Sequence, residues 1–304
     1  MPHSAARALP SFWNTVATGV PAFVYTVLLR PKPLRRIANK VILKALPRTV
    51  RYGRVTVVLN PADSVASAAL AFRVYERNEA AFFHRVCKPG MTVLDVGAHV
   101  GYYTAMAAER VGASGRVVAV EADPENYSYL EKTVETNAFR NVACFQAAAA
   151  DRAGMRTLYR SSSNRADNRL YQGEPGWSST DVNAVALDDL LASKNIGAVD
   201  LIKVDVQGSE GLVVAGLENT LRVSPSVVLM LEFWPEGLRN AHTDPAGLLS
   251  KLAQLGFAMF ELTSGGKLRK IGDREKLIER NAGRKYTNLI ALKGSRLSSD
   301  FFEN

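Results

Sequence analysis

Val93-Leu-Asp-Val-Gly-Ala-His-Val-Gly-Tyr-Tyr-Thr104 carries an apolar strand into an acid, two glycines four residues apart, and then a helix. Glycine has no Cβ, so Gly97 and Gly101 allow a tight turn and close approach of a ligand to backbone. In open α/β sheets such a ligand lies beyond the carboxyl ends of the strands. A dinucleotide fingerprint places glycines so that bare backbone can meet a pyrophosphate. Here His99 and Tyr102 stand at two of those positions, so a diphosphate fits poorly. An adenosyl ligand without phosphates fits better, and S-adenosylmethionine is such a ligand.

Outward from this turn the chain alternates strands and helices. Strands are expected at Arg54–Leu59, Thr92–Val96, Gly115–Val120, Ala143–Ala147, Leu201–Val206, Ser226–Phe233, Phe257–Leu262 and Thr287–Leu292. Ala66–Val86 reads as a single helix, and Asp123-Pro124 starts another, with Asp as cap and Pro in the first turn. Alternation of this kind predicts a parallel sheet with helices on both faces, and the last two strands suit an antiparallel finish. Arg160–Asp181 breaks the rhythm with a polar stretch holding Tyr171 and Trp177, which reads as a substrate lid.

Acids cluster at the expected strand ends. Asp95 precedes the glycine turn, suited to ordering it and meeting the cofactor's ammonium, or to capping the helix. Glu121 ends the following strand 24 residues after Gly97, where a carboxylate can accept both ribose hydroxyls. Ala98, His99, Tyr102 and Ala122 complete the expected cofactor set around these residues. In Leu201-Ile-Lys-Val-Asp-Val-Gln-Gly-Ser-Glu210 the strand delivers Asp205 to the same edge, with Glu210 on the next helix. Asp205 serves either the cofactor or as proton acceptor, and Glu210 and His242 are the further catalytic candidates. Glu232 adds a third acid to the rim, but no Asp-x-Asp run or His cluster accompanies it, so no metal is expected.

The net charge of +9 suggests nucleic acid until it is located. The first 60 residues carry ten Arg/Lys and no Asp or Glu, leaving 28 basic against 29 acidic residues in the rest. A nucleic-acid footprint belongs on the folded domain, so no nucleic-acid partner is expected. The basic residues lie on an amphipathic helical arm, residues 1–51, ahead of a domain at 52–304. Peripheral membrane contact through residues 12–47 would suit that arm, as would packing against the domain. Val16–Leu29 is too short to span a bilayer and lacks a signal-peptide layout. Cys87 and Cys144 have neither metal nor disulfide spacing, which fits a reducing cytosol. Oligomeric state leaves no trace in the sequence.

Together these residues resemble the FkbM family of S-adenosylmethionine-dependent methyltransferases. The resemblance rests on Val93–Tyr102, Val120-Glu-Ala-Asp-Pro124 with Leu130 and Asn137, Val185-Ala-Leu-Asp-Asp-Leu190 and Ile202–Glu210, flanked by Tyr75-Glu76 and Thr287–Leu292. It covers about residues 52 to 293. It implies a class I Rossmann-like fold with a mostly parallel seven-stranded sheet and an antiparallel last strand. It also implies methyl transfer to a hydroxyl on a small molecule, glycan or lipid-linked substrate. Two positions depart from the family pattern: Gln207 stands where Glu is usual, and His99 where Asn is frequent. Rival readings are a nicotinamide oxidoreductase of the same fold and a non-catalytic membrane adaptor acting through its arm.

Overall fold

The computed structural model describes residues 46–161, 164–294 and 297–303. Most of the basic arm, including the apolar and amphipathic stretches within 12–47, lies outside them. No helix among the described residues is long and apolar enough to cross a membrane.

Thirteen strands occur among the described residues. In chain order they are β1 (Thr49–Tyr52), β2 (Val55–Val58), β3 (Thr92–Val96), β4 (Arg116–Glu121), β5 (Val142–Gln146), β6 (Ala148–Ala150), β7 (Gly154–Arg160) and β8 (Ser178–Ala186). Then follow β9 (Leu201–Val204), β10 (Val227–Phe233), β11 (Ala258–Leu262), β12 (Leu268–Lys270) and β13 (Thr287–Lys293). The main sheet has the order β12-β11-β13-β10-β9-β3-β4-β5. From β10 to β5 it is parallel, and β13 runs antiparallel to both β10 and β11. The expected seven strands are therefore present with their antiparallel finish, and β12 adds an eighth at the edge through Leu268 and its pairing with Leu262.

Alternate residues of each central strand feed two separate cores. Leu94, Val118, Ile202 and Leu229 pack on one face, and Val93, Val117, Leu201 and Val228 on the other. Burial on both faces explains why these strands read as unbroken apolar runs.

Three expectations are corrected. The helix expected over Ala66–Val86 is two helices, Ser64–Ala71 and Arg77–Val86. Between them Arg73 and Glu76 adopt left-handed backbone with φ of 55° and 39°. Tertiary contacts outweigh helix propensity here, because the break turns Glu76 onto the Tyr103 hydroxyl at 2.8 Å. The polar stretch Arg160–Asp181 includes the end of β7 and the start of β8, which pair antiparallel and join β6 in a three-stranded sheet. A boundary at 51/52 would cut β1, whose residues Thr49–Tyr52 pair with Val55–Val58.

The order in which strands are added to the main sheet reverses between β3 and β9, the place where α/β sheets form their binding crevice. Here the loops after the two strands touch. Gly97 has φ 79°, and a Cβ on it would lie 1.9 Å from the Asp205 carbonyl oxygen. Gly97→Ala is expected to cost about 1–3 kcal/mol through strain and overpacking, read as a lowered denaturation midpoint with an unchanged slope.

Candidate active site

A crevice of about 640 Å³, open on one side, lies over this junction. Gly97 and His99 enter it from the loop after β3, Glu121 and Ala122 from the end of β4, and Asp205, Val206 and Gln207 from the loop after β9. Val96, Val120, Ala147, Ala149 and Leu158 give it apolar walls. Arg165, Ala166, Asn168 and Leu170 cover it from the segment between β7 and β8. That segment is tied down at its base, where Arg160 holds Asp123 at 2.5 Å and Asn168 donates to the same carboxylate at 2.9 Å. Asp123 also caps the helix Pro124–Thr136, so one carboxylate fixes a helix start and the cover.

Glu121 is almost fully buried, and its two oxygens accept from the His99 amide at 2.8 Å and the Asp123 amide at 2.9 Å. Burial raises its pKa, opposed by His99 and these two amides. The remaining lone pairs are available to a diol. Three more amides of the glycine turn are occupied: Gly97 and Ala98 donate to the Val120 carbonyl, and Gly101 to that of Ala98. Asp95 is fully buried, accepts the Thr104 hydroxyl at 2.6 Å, and keeps Oδ1 without a partner among the described residues. Burial raises its pKa as well.

Four expected cofactor residues, Asp95, Ala98, Gly101 and Tyr102, do not line the crevice. Ala98 packs with Ala119 and Leu130, and Tyr102 lies in an aromatic group with Tyr52, Tyr75 and Tyr103. The space at Gly101 is filled by Leu130, whose Cδ1 would sit 2.9 Å from an added Cβ. The glycines thus make room chiefly for the protein's own chain.

Of the three catalytic candidates, only Asp205 reaches the crevice. Its Oδ2 lies 3.1 Å from Lys203 Nζ, and its Oδ1 accepts from Gln207 Nε2 at 2.9 Å. Glu210 is fully buried and accepts from the Val206 and Gly208 amides, so it shapes the loop after β9. Burial lifts its pKa to about 7. His242 is exposed beyond the helix Pro235–Asn240 and lines neither the crevice nor the cavities beside it. A substrate in the crevice would meet neither of these two side chains.

The structure also gathers residues that the sequence reading did not assign. Lys203, buried inside β9, faces Asp205, Glu76 and Asp95. Burial alone would lower its pKa, but these three carboxylates outweigh that and raise it. A lysine inside an apolar strand was the available signal, since a buried charge needs a partner. Burial lifts Glu76 to about 7 and Glu232 well above the ordinary carboxylate range. Gln207 donates from Nε2 to Glu232 Oε2 at 3.0 Å as well as to Asp205. No group of three or more His, Cys, Asp or Glu placed to hold a metal ion occurs among the described residues.

A second, wider cavity of about 950 Å³ adjoins the crevice at Gln207, which lines both. Its walls include Tyr171, Glu232, Trp234, Glu236 and Tyr286. Arg169 and Arg284 also line it, each paired, with Asp167 at 2.5 Å and Glu174 at 2.8 Å.

The methyltransferase FkbM domain matches residues 95–259, more than half of the chain. The chain belongs to the FkbM methyltransferase domain family. Curated relatives match over shorter stretches. The protein-L-isoaspartate O-methyltransferase of Aeropyrum pernix is 47% identical over 55 residues, 18% of this chain and 21% of that protein. The ribosomal RNA large subunit methyltransferase E of Nitrobacter winogradskyi is 44% identical over 54 residues, 17% of this chain and 22% of that protein. The chain spans about a fifth of the length of these relatives. Among solved structures, an O-methyltransferase from Bacillus cereus in complex with SAH is 16% identical, covering 92% of this chain and 98% of its own, with a TM-score of 0.43. The methyltransferase FkbM of Methylobacillus flagellatus is 14% identical, covering 86% and 60%, with a TM-score of 0.40.

His99 has φ 52°, and its Nε2 lies 2.9 Å from Asp63 Oδ2. Burial pulls the imidazole pKa down, but the Asp63 hydrogen bond and charge outweigh it, so the net shift is upward. A raised folded-state value stabilises fully below the ordinary imidazole value of about 6.5 and is lost as pH rises through the folded value. Asp63→Asn keeps an oxygen to cap the helix Ser64–Ala71 but removes the charge. Its unfolding free energy is expected to fall relative to the parent chain below about pH 6.5, the gap narrowing at higher pH.

Proposed function

We propose that this chain is an S-adenosylmethionine-dependent methyltransferase that methylates a neutral hydroxyl on a small molecule, glycan or lipid-linked acceptor. The observation that carries the cofactor is the spent backbone of the glycine turn. The amides of Gly97, Ala98, His99 and Gly101 all donate within the protein, so none of these is free for a pyrophosphate. Glu121 and Asp205 at the adjoining strand ends repel a diphosphate and suit a cationic ligand. Glu121 would hold the ribose hydroxyls, the apolar walls the adenine, and Asp205 with the loop after β3 the amino-acid end. When bound, the cofactor supplies a methyl group on a sulfonium, already activated for in-line displacement.

The protein's task is then orientation and proton removal. Holding reacting atoms in line can account for roughly 7–11 kcal/mol of barrier lowering. The second cavity is the acceptor site in this reading. Its two arginines are neutralised by their partners, which leaves Glu232 and Glu236 as uncompensated acids on the wall. Such a wall disfavours carboxylate and phosphate acceptors. Together with Tyr171, Trp234 and Tyr286 it suits a polyhydroxyl molecule that stacks its C–H face and donates its hydroxyls.

Titration calorimetry checks the cofactor. S-adenosylmethionine is expected to bind and NAD not to, and Glu121→Ala to weaken the former at least tenfold, about 1.4 kcal/mol. Binding of NAD alone would overturn the reading.

A further inference from the structure

Two cavities meet at Gln207 and a third is lined by both of its acid partners, and the way they share residues separates those two acids. Asp205 lines the cofactor crevice and a small polar cavity of about 330 Å³, and is absent from the acceptor cavity. Glu232 lines the acceptor cavity and the same polar cavity, and is absent from the crevice. Among the described residues Gln207 is the one side chain lining both crevice and acceptor cavity, so a group passing between them passes over it.

The two carboxylates also differ in what holds them. Both Asp205 oxygens are engaged, one by the Lys203 ammonium and one by the Gln207 amide. Neither oxygen of Asp205 is left without a partner. Glu232 accepts only the Gln207 amide, through Oε2, and its Oε1 has no hydrogen bond among the described residues. We propose that Glu232, rather than Asp205, is the catalytic base that takes the proton of an acceptor hydroxyl seated beside Gln207. This rests on the proposed hydroxyl methylation. As the oxygen bonds to the methyl carbon, the carbon–sulfur bond breaks with its pair on sulfur, and the hydroxyl proton goes to Glu232. Gln207, donating to both acids, is a positioning residue that sets Glu232 relative to the crevice.

Burial and like-charged neighbours hold the Glu232 carboxyl above the ordinary carboxylate range. Asp205, Glu210 and Glu76 face Glu232 with like charge, while Lys203 opposes them. Tyr286 and Glu79 share the polar cavity with it, and Glu236 and the two paired arginines share the acceptor cavity. The acid is active as carboxylate, so the rate rises with pH through its elevated pKa.

The test uses the full chain, methyl glycosides of common hexoses as hydroxyl acceptors, and an isoaspartyl peptide as carboxylate acceptor. In E232Q, transfer to the best glycoside is expected to fall about 10²–10⁴-fold and the acidic limb of the pH profile to vanish. Its affinity for S-adenosylhomocysteine should stay within twofold of the parent, and Glu232→Asp should recover part of the limb. Carbon-13 titration of the glutamate carboxyls, which needs no turnover, should show one group titrating well above the ordinary carboxylate range that is missing in E232Q. Near-parental glycoside transfer by E232Q, or a limb lost in Asp205→Asn and kept in E232Q, would overturn Glu232 and leave hydroxyl methylation standing. Transfer by the parent to the isoaspartyl peptide alone would overturn the hydroxyl reading, and with it the need for a base.

Discussion

The contact between Gly97 and the Asp205 carbonyl is the constraint on which the site depends. Strands β3 and β9 leave the sheet at its point of reversal, and their loops approach until no side chain fits between them. That approach brings His99 and Asp205 of the two loops to one crevice. It also turns the following backbone into αL geometry at His99 and Gln207, with φ of 52° and 53°. Left-handed non-glycine residues cost energy and persist only where the surroundings hold them. His99 is held by Asp63 and by donation to Glu121, and Gln207 by two carboxylates. Each strained residue therefore ties two chain segments together at the rim.

Electrostatics follow from the same geometry. Lys203 is buried with Asp205, Glu76 and Asp95 around it, so one cation faces an excess of acids. Full ionisation of all of them would be costly in so little solvent, and the excess is relieved by holding protons. The raised values of Glu76 and Glu232 express that relief. A site of this kind accommodates a cationic ligand readily and places a carboxylate near neutrality beside it. The glutamine at position 207 limits the excess, since its amide donates where a further carboxylate would repel.

Much of this was legible from residues close together in the chain. The order strand, acid, glycine turn and helix is local, as is the spacing from Gly97 to Glu121, and both survive in the structure. What was not legible depends on distant segments meeting. Asp63 caps the helix Ser64–Ala71 with one oxygen, and its second oxygen finds His99 only once the sheet is folded. Tyr75 and Glu76 read as helix interior, because nothing local signals that Tyr103 and Lys203 will face them. Glu210 and His242 were natural candidates by residue type and proximity in sequence. Glu210 turned inward to satisfy loop amides, and His242 followed a short helix to the surface.

Glu232 shows how partnering decides between acids that a sequence leaves equivalent. Asp205 follows β9 and Glu232 lies near the end of β10, and these parallel neighbours pair with Leu231 opposite Val204. The difference arises one residue position at a time: Asp205 comes two residues after Lys203 and so lies within reach of its ammonium, whereas Met230 occupies the corresponding place before Glu232. The cation therefore pairs with the acid on the cofactor side. The acid on the acceptor side is left with only a neutral donor, which is the condition a base requires.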